Sequence, residues 1–278
     1  MTREASEVHV CDGLYAYGLV GKAPQHLDFL GMDKRHAVYP LEERGICVLI
    51  SKIDINKFQD QVSDLCSELT STGELARSRA EEILQLHEGV VDLLMKDTAV
   101  VPFKFGTVFK DEQAVSQMLR DNEETFKKLL TRFAGKAEWG LKVYSDRQKF
   151  TESVMQTEPA FQNMGQQEGR LSRGTAYLFG RKREEELKEH VRVQLTSISE
   201  HLFQELGKDA YSARLNETLP RKLTGKEMIL NAAYLIEGEK AAHFCQQGGK
   251  FKEEYASMGL DLEVSGPWPP YSFIEHWD

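Results

Sequence analysis

Leu260-Asp261-Leu262-Glu263-Val264-Ser265 places an apolar side chain at every second position and a polar one between. Successive side chains of a strand point to opposite faces, so the pattern predicts a strand with one face in a core. Working back from it, a helix is expected from about Glu239 to Ser257. Gly248 and Gly249 lie inside that helix, each costing roughly 1 kcal/mol relative to alanine. Two strand candidates precede it, Ala210–Leu215 and Met228–Ile236, separated by a turn containing Pro220. A long helix ends near Leu206, with Leu187, Val191, Leu195, Ile198 and Leu202 on one stripe. Glu138–Tyr144 supplies the first strand. The order βαββαβ is ferredoxin-like, a split-βαβ arrangement with two helices on one face of an antiparallel sheet. Residues 146–173 are polar, Gln-rich and weakly periodic; they read as an insert or mobile loop, with a short helix before Pro159.

The other half has a different rhythm. Leu14–Val20 and Gly45–Ile50 are short apolar runs that suit buried strands, and His36–Leu41 is a third candidate. Asp54 and Asn56 offer caps to a helix carrying Phe58, Val62, Leu65 and Leu69, closed by Gly73. A second helix from Glu74 places Ile83, His87, Val90, Val91 and Leu94 on one face. Val100–Phe109 reads as one half-buried strand, and Asp111 caps a helix striped from Val115 to Phe133. Gly135 suits the left-handed position after that helix. The expected organisation is α+β: an N-terminal mixed α/β domain over 1–134 and a ferredoxin-like domain over 135–278.

The chain ends on Gly266-Pro-Trp-Pro-Pro-Tyr-Ser-Phe-Ile-Glu-His-Trp-Asp278. Prolines hold such a segment extended and keep it from continuing a sheet as a regular strand. Its aromatics either fold back onto the protein or meet a partner, which makes Trp268, Tyr271 and Phe273 candidate partner-binding residues.

Composition narrows the function classes. The formal charge is −9, and both halves are acidic, so the basic footprint of a nucleic-acid binder is missing. Cys11, Cys47, Cys66 and Cys245 follow no metal or disulfide spacing and suit a reducing cytoplasm. The polar opening residues resemble no secretory signal, and no apolar run approaches membrane-spanning length; a soluble protein without membrane partners is expected.

Catalytic motifs are not found. His87-Glu88 lacks the second histidine four residues on, since position 91 is valine; a packed, hydrogen-bonded core histidine is the better reading. Neither GxxxxGK[ST] nor GxGxxG nor GxSxG occurs. Arg170, Arg173, Arg181, Lys182 and Arg183 could hold an anion, but Glu184–Glu186 follow and can pair with the nearby cations along a helix. No catalytic, cofactor-binding or metal-ligating residue is assigned.

Three stretches together resemble the F/L family of gas vesicle proteins. They are His87-Glu-Gly-Val-Val with Val101-Pro-Phe-Lys-Phe-Gly-Thr-Val-Phe109; Glu138-Trp-Gly-Leu-Lys-Val-Tyr144; and Gly266-Pro-Trp-Pro-Pro-Tyr-Ser-Phe273. Leu14–Val20 and Gly174-Thr-Ala-Tyr-Leu178 also fit. Lys104 departs from the pattern, which more often has arginine there, and 146–173 matches nothing in it. The resemblance implies a two-domain protein with a ferredoxin-like second domain and no catalytic residues. It implies a role in vesicle formation, at the gas vesicle or in the cytoplasm, with the small hydrophobic shell protein and other accessory proteins as partners. The competing class is an enzyme or small-ligand-binding protein on a ferredoxin-like scaffold, which a pocket of convergent titratable groups would favour.

Overall fold

A computed structural model describes residues 12–24, 26–71, 73–162 and 173–274. The strands are β1 (Gly13–Val20), β2 (Tyr39–Glu43), β3 (Ile46–Ile53), β4 (Val100–Pro102), β5 (Val108–Phe109), β6 (Lys136–Ser145), β7 (Ser212–Leu215), β8 (Glu227–Glu237) and β9 (Leu260–Trp268). The α-helices are α1 (Ile55–Ser71), α2 (Gly73–Asp97), α3 (Glu112–Asp121), α4 (Glu123–Phe133), α5 (Arg147–Thr157), α6 (Pro159–Gln162), α7 (Arg173–Gly207), α8 (Arg221–Thr224) and α9 (Ala241–Ala256). They form two compact units: residues 1–136 with 268–278, and residues 137–267. The tail, which the sequence groups with the second domain, therefore falls in the first unit from Trp268 onward.

In the first unit the sheet order is β2-β3-β1-β4, with β5 also paired to β1. Every residue of β1 is buried, which is why it reads as a continuous apolar run and not as an alternation. Tyr15 and Tyr17 face the core shared with Phe58, Val90, Val91 and Leu94 of α1 and α2. The β1–β3 register slips between Ala16 and Gly18, and the extra residue returns Val20 to the same face as the tyrosines. Several elements differ from expectation. Gly73 opens α2 instead of closing α1. The expected strand over 100–109 is two short strands around a turn, where Thr107 N–H donates to the Lys104 carbonyl and Gly106 has φ of 85°. The expected single helix after Asp111 breaks at Asn122, whose amide side chain bonds back to the Met118 carbonyl. Its C-terminus does hand over to Gly135 at φ 69°.

In the second unit the sheet order is β7-β8-β6-β9, and β7 runs antiparallel to β8. One core holds Leu187, Val191, Leu195 and Leu202 of α7, Phe244 of α9, and Leu230, Tyr234, Leu260 and Leu262 from the strands. The short helix expected before Pro159 is α5: Asp146 caps it by accepting from Lys149 N–H, and Phe150 and Val154, with Phe161 of α6, enter this core, so this part of the segment is packed helix and not loop. Its remaining part up to 172 lies outside the described residues. β9 runs on through Gly266 and Pro267, contrary to the expectation that the prolines end it. As an edge strand it tolerates a residue that lacks an N–H.

The paired glycines of α9 have opposite meanings. A Cβ on Gly248 would sit 2.5 Å from Val264 Cγ2, whereas one on Gly249 meets nothing within 4 Å. Gly248 thus lets the helix approach β9 closely, and Gly249 merely costs helix propensity. Gly248→Ala is expected to destabilise the protein by about 1–3 kcal/mol. Gly249→Ala is expected to stabilise it by up to about 1 kcal/mol. Urea unfolding of the two variants checks this; a shift in the same direction for both would contradict the packing.

Candidate functional site: a buried histidine beneath the tail

The tail meets the first unit at a buried polar cluster. α2 turns His87 inward on the same face as Val90, Val91 and Leu94, leaving it 1% exposed. β1 brings Tyr15 and Tyr17 beside it, with ring centroids 5.7 and 5.8 Å from the imidazole. Nε2 of His87 lies 3.1 Å from the Phe103 carbonyl oxygen, and Nδ1 lies 3.0 Å from the Tyr15 hydroxyl. A carbonyl only accepts, so Nε2 carries the proton and Nδ1 accepts from Tyr15. The Tyr15 oxygen in turn accepts from Gly106 N–H at 3.1 Å. Tyr17 shares a hydrogen bond with Ser51 Oγ at 2.9 Å and accepts from Met32 N–H at 3.0 Å.

Burial sets the protonation states. It lowers the His87 pKa from 6.5 to about 4, opposed only in part by the Phe103 carbonyl. Burial also raises the Tyr15 phenol and pushes Tyr17 up to about 12. The cluster is neutral near pH 7.

The tail covers this cluster. Pro269 and Pro270 are buried, and a single turn over Tyr271–Phe273 closes with Phe273 N–H donating to the Pro270 carbonyl. Phe273 is 4% exposed. The Tyr271 hydroxyl reaches His87 Nε2 at 3.1 Å, sharing that N–H with Phe103. Trp268 remains 44% exposed. The structure thus separates the three candidate residues: Phe273 and Tyr271 face inward, and Trp268 offers surface. Reading the sequence for local motifs missed Tyr15 and Tyr17 as partners of this site. The available signal was two phenols on an otherwise apolar buried strand, since a buried tyrosine hydroxyl needs a partner.

A groove of about 470 Å³ lies in the second unit between α7 and β8, lined by Leu195, Phe203, Leu215 and Met228. At its rim Arg147 holds Glu227 through two bonds of 2.9 and 2.6 Å. That pairing lowers the Glu227 pKa, so this carboxylate is not tuned as a neutral-pH acid or base. Among the described residues no three His, Cys, Asp or Glu side chains gather where a metal ion could be held. None of their helices is long and apolar enough to cross a membrane.

Comparison with known proteins places these features in a family. The model of the gas vesicle synthesis protein GvpL/GvpF family matches residues 13–275, from β1 through the docked tail. Gas vesicle protein F1 of Halobacterium salinarum is 24% identical over 267 residues, covering 95% of this chain and 93% of its own length. Gas vesicle protein L of a Streptomyces species is 26% identical over 205 residues, 71% of this chain and 73% of its own. The crystal structure of GvpF from Anabaena superposes with a TM-score of 0.68 at 22% identity, covering 95% of this chain and all of that one. GvpF from Microcystis aeruginosa gives 0.66 at 20% identity, covering 94% and 98%. These likenesses establish the mixed α+β fold with two sheets, and the match along nearly the whole chain makes this protein a member of the GvpL/GvpF family of gas vesicle synthesis proteins.

Proposed function

We propose that this chain serves gas vesicle formation as a non-catalytic binding protein for the small hydrophobic shell protein. The observation that carries the reading is the family match over residues 13–275, which includes both units and the tail. A shell subunit with a strongly apolar face is prone to aggregate before assembly, and a soluble partner can cover that face. Other accessory gas vesicle proteins are further partners in this reading, in the cytoplasm or at the vesicle. Nucleic acid and membrane have no part in it. The second unit is read as ferredoxin-like, supported by its strand order and by α7 and α9 sharing one core.

Within the tail, Trp268 is the residue we assign to partner contact, with Tyr271 and Phe273 as the seat that holds it. Interface energy concentrates in a few aromatic or arginine anchors, so one indole can dominate. The test is vesicle production in a host that carries the remaining gas vesicle proteins but lacks this chain. Vesicles are expected to be absent, restored by the wild type, and restored poorly by Trp268→Ala at unchanged melting temperature. Normal vesicles without the chain would overturn the function; full rescue by the variant would overturn the anchor alone.

A further inference from the structure

Among the described strands that end the two sheets, only β7 lacks a proline. Pro40 stands in β2, Pro102 in β4 and Pro267 in β9, and a residue without an N–H blunts an edge. β7 reads Ser212-Ala-Arg-Leu215, and its last three residues are exposed. Asn216 N–H donates to the Asn231 carbonyl at 2.8 Å, so the backbone groups of Asn216, Arg214 and Ser212 face β8. The N–H and C=O of Ala213 and Leu215 therefore point away from the sheet. Beyond β7 the chain keeps to the flank of β8: the Glu217 carbonyl accepts from Asn231 Nδ2, and Leu219 N–H donates to Met228 Sδ. Along this stretch Tyr211, Leu215 and Leu219 recur at every fourth residue and are 55%, 58% and 42% exposed.

We infer that β7 pairs antiparallel with β7 of a second copy of this chain, about a two-fold axis through Leu215. What selects a second copy is the apolar pattern, which maps onto itself as an isologous interface requires. Leu215 meets its own counterpart, and Tyr211 of each copy meets Leu219 of the other. The two Leu215 residues exchange N–H···O=C bonds, as a hydrogen-bonded pair of an antiparallel ladder does. An axis through Arg214 would instead oppose two guanidinium groups and set Tyr211 against Glu217. With the axis at Leu215, Arg214 stands across from Asn216. The contact joins two four-stranded sheets into one. It closes at two copies, because β9, the other end of this sheet, carries Pro267.

Sedimentation equilibrium of the full chain tests the pairing. The wild type is expected to dimerise reversibly at tens of micromolar. Leu215→Pro should raise the dimer dissociation constant at least tenfold, since it removes an N–H that the other copy needs. The fold should survive that change, because this N–H points away from β8; an unchanged melting temperature checks it. Two variants at position 216 test the register. Asn216→Asp puts a carboxylate across from Arg214 twice per dimer and should tighten the dimer several-fold at low salt. Asn216→Lys puts a cation there and should loosen it several-fold. A folding defect would move both variants the same way. A wild type that stays monomeric would overturn the inference and leave β7 to a strand from a different protein. A dimer that withstands Leu215→Pro, or a shift of the same sign for both 216 variants, would overturn it as well.

Discussion

Cutting the chain after Pro267 is expected to destabilise the first unit strongly while leaving the second unit folded. The segment removed belongs to the first unit, and it carries the buried Pro269, Pro270 and Phe273. Loss of a buried phenylalanine alone costs about 3–5 kcal/mol, because the transfer energy is lost and a cavity remains. For a unit of this size that lowers the melting temperature by roughly 6–15 °C. Removing the tail also opens His87 and the surrounding tyrosines to water, so part of the loss is recovered by rehydration. Phe273→Ala should therefore approach the effect of the truncation. Tyr271→Phe should cost little, under about 1 kcal/mol, since the Nε2–H of His87 keeps the Phe103 carbonyl. Calorimetry of the three variants provides the check. A truncated chain that melts like the wild type would mean that the tail is not part of the first unit's core.

Acid should weaken the same region through His87. Its folded pKa of about 4 lies below the ordinary 6.5, so between those values the unfolded chain binds a proton that the folded chain does not. Stability must then rise with pH across that window: the contribution is complete above about pH 6.5 and is lost as pH falls toward 4. A gap of that size is worth roughly 3 kcal/mol. The geometry adds to the cost of forming the imidazolium. A proton on Nδ1 would force the Tyr15 hydroxyl to turn its hydrogen away and to accept from His87 as well as from Gly106. Denaturant unfolding of the wild type and of His87→Gln from pH 4 to 7 should show a steeper acid loss for the wild type. Equal slopes would remove His87 as the cause.

Much of the scaffold was readable because it rests on local periodicity. β1, β3, α2, α7 and β9 each bury a stripe or run long enough to reveal its period. The misses have local causes that outweigh the pattern. Gly106 and Asn122 interrupt segments whose apolar spacing continues across them. A short helix was expected before Pro159, but α5 buries only Phe150 and Val154 within a polar stretch, too few positions to show that it packs into the core. The centre of the site was illegible for a different reason. Tyr15, His87 and Tyr271 are brought together across separations of 72 and 184 residues, so no spacing within one element could pair them. The tail aromatics were recognisable as important, but their division into a buried Phe273, a half-buried Tyr271 on His87 and an exposed indole depends on tertiary contacts alone.

The measurement that bears most directly on the central claim is capture of freshly made shell protein by the intact, folded chain. The two are co-expressed, the chain is recovered under native conditions, and the shell protein bound to it is quantified against an unrelated acidic protein of similar size. The account predicts a soluble, stoichiometric complex that keeps the shell protein from sedimenting and that Trp268→Ala weakens at least tenfold. A chain that melts normally yet recovers no more shell protein than the control would contradict it.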